Sequence, residues 1–279
     1  MLDRAMQSKY GDDLQAGEIQ EIAELKKIRR NESLQHWLSL FSPLLILLLW
    51  EVLSRANLLD VRFFPPPTGI LSTFVGMILS GELISALGIS LYRVMLGFIL
   101  GAVPALILGI LMGVSRIFRS FMDPIIGALL PIPKLALLPL IMLLFGIGEM
   151  SKVVTIASGV FFYVLMDTVV GVANIEKIHT EVARNYGARG LDYFRTVAFP
   201  GALPLIFNGI KLGQGVGLLL IVAAEMIGAD NGIGYLIWSG YQTFALERMY
   251  VGLIMMGFLG FLTSTILSRL ERVVVPWKH

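Results

Sequence analysis

Six apolar runs, each about the 20 residues needed to cross a hydrocarbon core as a helix, divide this chain and limit its fold more than any other feature. They lie at 38–54, 94–114, 122–146, 152–173, 203–227 and 249–269 of 279 residues. Backbone N–H and C=O groups in lipid must bond within the protein, so runs of this kind are helices. The expectation is an all-α integral membrane protein with about six transmembrane helices. The third run carries Pro131, Pro133 and Pro139. Proline has no N–H and clashes with the preceding turn, so this span should be kinked or broken.

Charge sets the orientation. Only 15% of residues are charged, against about 25% in ordinary soluble domains. With the N-terminus inside and six alternating helices, fifteen of the 22 Lys and Arg residues fall on the inner side and four, Arg55, Arg62, Lys152 and Arg248, on the outer. Arg93, Lys134 and Lys211 lie within or beside spans. Basic residues accumulate in cytoplasmic loops, which places both termini in the cytoplasm. A net charge of +2 with no basic–aromatic stripe gives no reason to expect nucleic acid as a partner. The chain has no cysteine, and His36, His179 and His279 are too scattered to form a metal site.

Residues 1–37 are polar, and no cleavable signal peptide is expected. Within them Ile19, Ile22, Leu25 and Ile28 recur at helical spacing and run into Lys26, Lys27, Arg29 and Arg30. That pattern reads either as an amphipathic helix on the membrane surface or as a solvated charged leader. The chain thus divides into a cytoplasmic segment, 1–37, and a transmembrane domain, 38–279. Between the first two spans, Phe64-Pro65-Pro66-Pro67-Thr68-Gly69 is a rigid turn, with Thr68 offered as the N-cap of a following helix.

The loop 174–200 is the most informative. Ile175, Ile178, Val182 and Tyr186 repeat every three or four residues and form one apolar stripe. Asn174 is a candidate N-cap and Gly187 a candidate C-terminal glycine. After Gly190 a second helical turn carries Leu191, Phe194 and Ala198 on one face and should stop before Pro200. An apolar stripe on a cytoplasmic loop must be covered, either by the chain's own bundle or by a partner.

Glu181-Val182-Ala183-Arg184-Asn185-Tyr186-Gly187, followed after nine residues by Val197-Ala198-Phe199-Pro200, resembles the EAA signature of ATP-binding cassette (ABC) importer permeases. Val182, Val197 and Phe199 depart from that signature, yet its spacing is intact. Pro133 to Leu140, Leu144 to Gly148, Val222 to Gly228 and Gly232 to Leu236 are similar to the nitrate/sulfonate/taurine branch of these permeases. The resemblance implies a type I permease working as a dimer, seated on two copies of an ATPase subunit and fed by an extracytoplasmic substrate-binding protein. It implies that the segment around Glu181 to Gly187 is a coupling helix, with Val182, Ala183 and Tyr186 as contacts, Gly187 as hinge beside Gly190, and Glu181 as a brace. Its substrates would be a small oxyanion or an organic sulfonate, with thiamine precursors and aromatic acids as the alternatives. ATP and Mg would belong to the partner ATPase, and no cofactor is expected on this chain.

Charged and polar groups at membrane depth default to functional hypotheses. Lys134 could attract an anion, or neutralise Asp167 or Glu225. Glu225 could brace a gate or touch substrate, and Asn208 and Gln214 could meet a polar solute. Asp123 and Asp167 should pair with basic loop residues. Gly97/Gly101, Gly109/Gly113 and Gly209/Gly213/Gly217 follow the small-xxx-small spacing of close helix packing. For the last of these, a dimer seam or a pore wall is the alternative. The sequence contains no Gly-Lys pair, hence no P-loop, so nucleotide must be bound elsewhere. An intramembrane hydrolase would need a nucleophile–base pattern, which is lacking. A secondary transporter remains the rival reading, since a broken helix is common in that class.

Overall fold

The computed structural model describes residues 38, 41–175, 177–188 and 190–278, and no strand occurs among them. The segment 1–37, with its amphipathic pattern, lies outside the described residues.

The first compact unit ends at Thr68. Its helix α1 covers 41–55, the described part of the first apolar run. Asn57 closes it in the left-handed region, at φ 54°, where the Leu58 amide reaches back to the Leu53 carbonyl at 3.1 Å. Glu51 gathers the proline-rich turn: it accepts from the Thr68 amide at 3.0 Å, from the Thr68 hydroxyl at 2.8 Å and from Arg55 Nε at 2.5 Å. Thr68 therefore donates to α1. It does not act as the expected N-cap, because α2 (Pro67–Leu79) starts one residue earlier on Pro67, whose fixed φ suits a first helical position.

The second unit, Gly69–His279, holds the bundle. Gly81, at φ 78°, turns the chain into α3 (Glu82–Val114). This helix is 33 residues long and starts twelve before the apolar run does, since its amphipathic first turns read as loop in a hydropathy pattern. The third span is broken. Pro131 and Pro133 supply no amide between α4 (Arg116–Leu129) and α5 (Leu138–Phe145), and the two halves meet at 80° through a single 3₁₀ turn.

Helix α6 (Glu149–Ala173) is the centre of the unit, packed between α3 and α9 (Phe199–Gly228). Ile156, Val160, Val164 and Leu165 on α6 and Ile221 on α9 are fully buried. Glycine lets these backbones approach. A Cβ on Gly101 would stand 2.5 Å from the Ala157 carbonyl oxygen, and one on Gly209 would stand 2.8 Å from Asp167 Cβ. Gly213 and Gly217 likewise face Val160, Val164 and Ile156 of α6. The glycine stripe of the fifth span thus lies against the neighbouring helix of the same chain. The last long helix, α11 (Leu246–Val274), has few buried residues and an uncharged apolar middle, as a lipid-facing helix has.

Around the 174–200 loop, α7 (Lys177–Asn185) is followed by a short turn, α8 (Leu191–Tyr193), that leads into α9. Asn174 ends α6, its amide bonded to the Val170 carbonyl at 3.0 Å, and is not the N-cap of α7. The helix does not stop at Pro200 either. A π turn over Phe194–Ala198 carries it straight into α9, with the Phe199 amide on the Phe194 carbonyl five residues back. The wide turn lets the chain pass a residue that has no amide to give. One further helix, α10 (Ile233–Gln242), joins α9 to α11.

Candidate functional site

Helix α7 ends in a Schellman motif. Gly187 takes φ 82° and the Ala188 amide bonds the Ala183 carbonyl at 2.9 Å. Gly190, at φ 55°, makes the second turn, and its carbonyl accepts from the Phe194 amide at 3.1 Å. Two left-handed glycines three residues apart therefore set the angle between α7 and the helix that becomes the fifth span. The apolar stripe faces outward: Ile178 is 58% exposed, Val182 47% and Tyr186 89%. Glu181 is exposed beside them. Ala183 differs. It is buried and, together with Val182, lines a groove of about 350 Å³ shared with Val197, Pro200 and Trp277. Of the three expected contacts, Val182 and Tyr186 are exposed and Ala183 lies at the wall of that groove.

The polar residues expected along a path do not converge. Lys134 sits at the break between α4 and α5. Its Nζ donates to the carbonyls of Leu129 at 2.7 Å, Ile132 at 3.0 Å and Leu130 at 3.4 Å, and lies 3.9 Å from the centre of the Phe162 ring. It neutralises neither Asp167 nor Glu225, because the prolines leave helix-end carbonyls nearer at hand. Lys134 and Asp167 nevertheless line one cavity of about 600 Å³, walled by Phe162, Tyr163 and Val216. Asp167 accepts from Asn208 Nδ2 at 2.7 Å rather than from a basic loop residue, whereas Asp123 does meet Arg119, at 3.6 Å. Gln214 is buried between helices, donating to Thr263 Oγ1 of α11 at 2.5 Å. Near it Lys211 meets Glu271 at 2.5 Å. Glu225 is 1% exposed and paired with Arg93 at 2.6 Å. Arg93 is the residue that sequence reasoning passed over. It sits immediately before the second apolar run, where hydropathy treats it as a boundary; a lone arginine beside a span with an acid inside another was the signal available.

Taken together, the apolar helices, the broken span and the glycine-terminated surface helix define a multi-pass α-helical membrane protein that carries a short exposed helix between two of its spans. Residues 105–278 match the model of the family described as binding-protein-dependent transport system inner membrane component. The chain is 37% identical over 240 residues to SsuC of Bacillus subtilis, a permease protein named for aliphatic sulfonate transport, with 86% of this chain and 87% of that one covered. It is 33% identical over 250 residues to the taurine transport system permease protein TauC of Escherichia coli, covering 88% and 91%. Among solved structures it resembles a chain of the inward-facing MetNI methionine ABC transporter, with TM-score 0.58, 21% identity, and 70% of this chain and 97% of that one covered. The protein belongs to the binding-protein-dependent inner membrane component family, the permeases of ABC importers.

Proposed function

We propose that this chain is the non-catalytic translocation subunit of an importer for a small anion of the sulfonate or nitrate type, working as a homodimer on two ATPase subunits. ATP and Mg are held by the ATPase, and substrate arrives from an extracytoplasmic binding protein. Both termini and the 174–200 element face the cytoplasm. In this reading 1–37 is a cytoplasmic leader and 38–279 is the permease domain.

One observation carries the proposal: Ile178 and Val182 on α7 and Tyr186 at its end stand exposed beside the glycine that closes the helix. Burying such side chains is worth about 1.5–3 kcal/mol each, so the stripe needs a partner surface. Val182 and Tyr186 are the contacts, Gly187 and Gly190 fix the lever angle, and Glu181 braces its exposed flank. Of the path residues, Lys134 and Asn208 keep a place: the first lines the cavity directly, and the second holds the Asp167 carboxylate that lines it. Lys134 contributes a positive field there while its donors secure the bend. Gln214 and Glu225 fix helices to one another.

Affinity purification from membranes tests the reading. A soluble ATP-binding subunit should co-purify with the intact chain and be lost from the Val182→Asp/Tyr186→Asp variant. Retention of that subunit by the variant, or its absence from the unaltered protein, would overturn the reading.

A further inference from the structure

Arg93 lies toward the end of the bundle opposite the 174–200 element, three turns into α3. All five of its N–H donors are used. Nε and Nη2 hold Glu149 of α6 at 2.5 and 2.6 Å; Nη1 holds Glu225 of α9 at 2.6 Å. The remaining two reach the Asn231 side chain at 2.6 Å and its carbonyl at 2.9 Å. Glu225 in turn accepts from Ser90 at 2.8 Å and from the Gly234 amide at 2.8 Å, at the start of α10. Ser90 Oγ accepts from the Ile233 amide at 2.8 Å. The loop is moulded around this carboxylate: Gly232 has φ 109°, and a Cβ there would lie 2.4 Å from Glu225 Cδ.

A fully buried ion pair adds little stability beyond what apolar residues of equal volume would give. What it does add is a single geometry, and here that geometry joins three spans to the loop leading into α10. Glu149, at 55% exposure, puts one edge of the network at the surface of the chain, so it can part stepwise. The geometry points to Arg93 as a positioning residue for transport, holding the start of α6, the last turn of α9 and the 230–234 loop closed on α3 at the end away from the ATPase until the binding protein separates them. This rests on the importer reading above, which sets which end faces the ATPase.

The test uses the complex of permease, ATPase and binding protein in lipid nanodiscs, with ATP hydrolysis measured per complex with and without substrate-loaded binding protein. Glu225→Gln removes the charge and keeps the shape. Asn231→Ala removes only the loop's side-chain bond and leaves the ion pair intact. Both should raise hydrolysis without binding protein, by about threefold or more for the first and less for the second, and so lower the stimulation ratio. A merely structural role would reduce the amount of complex and leave the ratio per complex unchanged. An unchanged ratio in both variants overturns the proposal, and if Glu225→Gln does not assemble, Asn231→Ala alone decides. Failure of the unaltered complex to respond to binding protein would instead sink the importer reading.

Discussion

The amide of Ala188 bonds the carbonyl of Ala183 at 2.9 Å, closing a turn that only Gly187, at φ 82°, makes without strain. Nothing lies within 4 Å of a Cβ built on Gly187, so a substitution there meets backbone strain and no collision. Holding an ordinary residue in that region costs roughly 1–2 kcal/mol. Gly187→Val should therefore lower ATP-driven uptake sharply while the protein still inserts in the membrane. Gly187→Asn should restore most of it, since asparagine tolerates this conformation. Uptake by proteoliposomes containing the complex is the measurement.

The exposed stripe predicts a loss of affinity without a loss of fold. Val182→Asp removes a contact worth about 1.5–3 kcal/mol if buried by the ATPase, roughly a tenfold to hundredfold weakening. Titration of the permease with isolated ATPase should show it. The detergent melting temperature should stay within a few degrees, because Val182 is 47% exposed.

Gly101 and Gly76 should respond in opposite directions. A Cβ on Gly101 would meet the Ala157 carbonyl at 2.5 Å, whereas Gly76 has open space around it. Gly101→Ala should destabilise by about 1–3 kcal/mol through overpacking between α3 and α6. Gly76→Ala, inside α2, should be neutral or gain about 0.5–1 kcal/mol. Thermal melting of the purified protein distinguishes them.

Lys134→Met strips three carbonyls at the α4–α5 break of a charged donor. Leaving such acceptors without a partner costs about 1–3 kcal/mol, read as a lower melting temperature. Loss of the positive field in the cavity should also raise the KM for anion uptake.

Much of this architecture could be read from the chain alone, because the lipid core imposes one length and one hydrogen-bonding solution on every span. The break at Pro131 and Pro133 and the turn at Gly187 follow from residues with local rules. What stayed hidden depended on partners distant in sequence. Arg93 has its meaning only beside Glu149 and Glu225, 56 and 132 residues away. The continuation through Pro200 is not legible, because proline usually ends a helix and nothing in the sequence announces a π turn. Gln214 is legible as a polar residue inside a span, but its partner Thr263 on α11 is not. Helix α10 is too short to register as a span.

The π turn at Phe194–Ala198 also sets a phase. One residue more than a regular turn requires is wound in there, and each residue of a helix accounts for about 100° of rotation. Removing a single residue from 194–198 would swing the exposed stripe of α7 by that angle relative to the glycine face of α9. The surface proposed to meet the ATPase would then point elsewhere although the packing of α3 and α9 on α6 survived. Where the lever is aimed is thus encoded in a count of residues, separately from what the lever is made of.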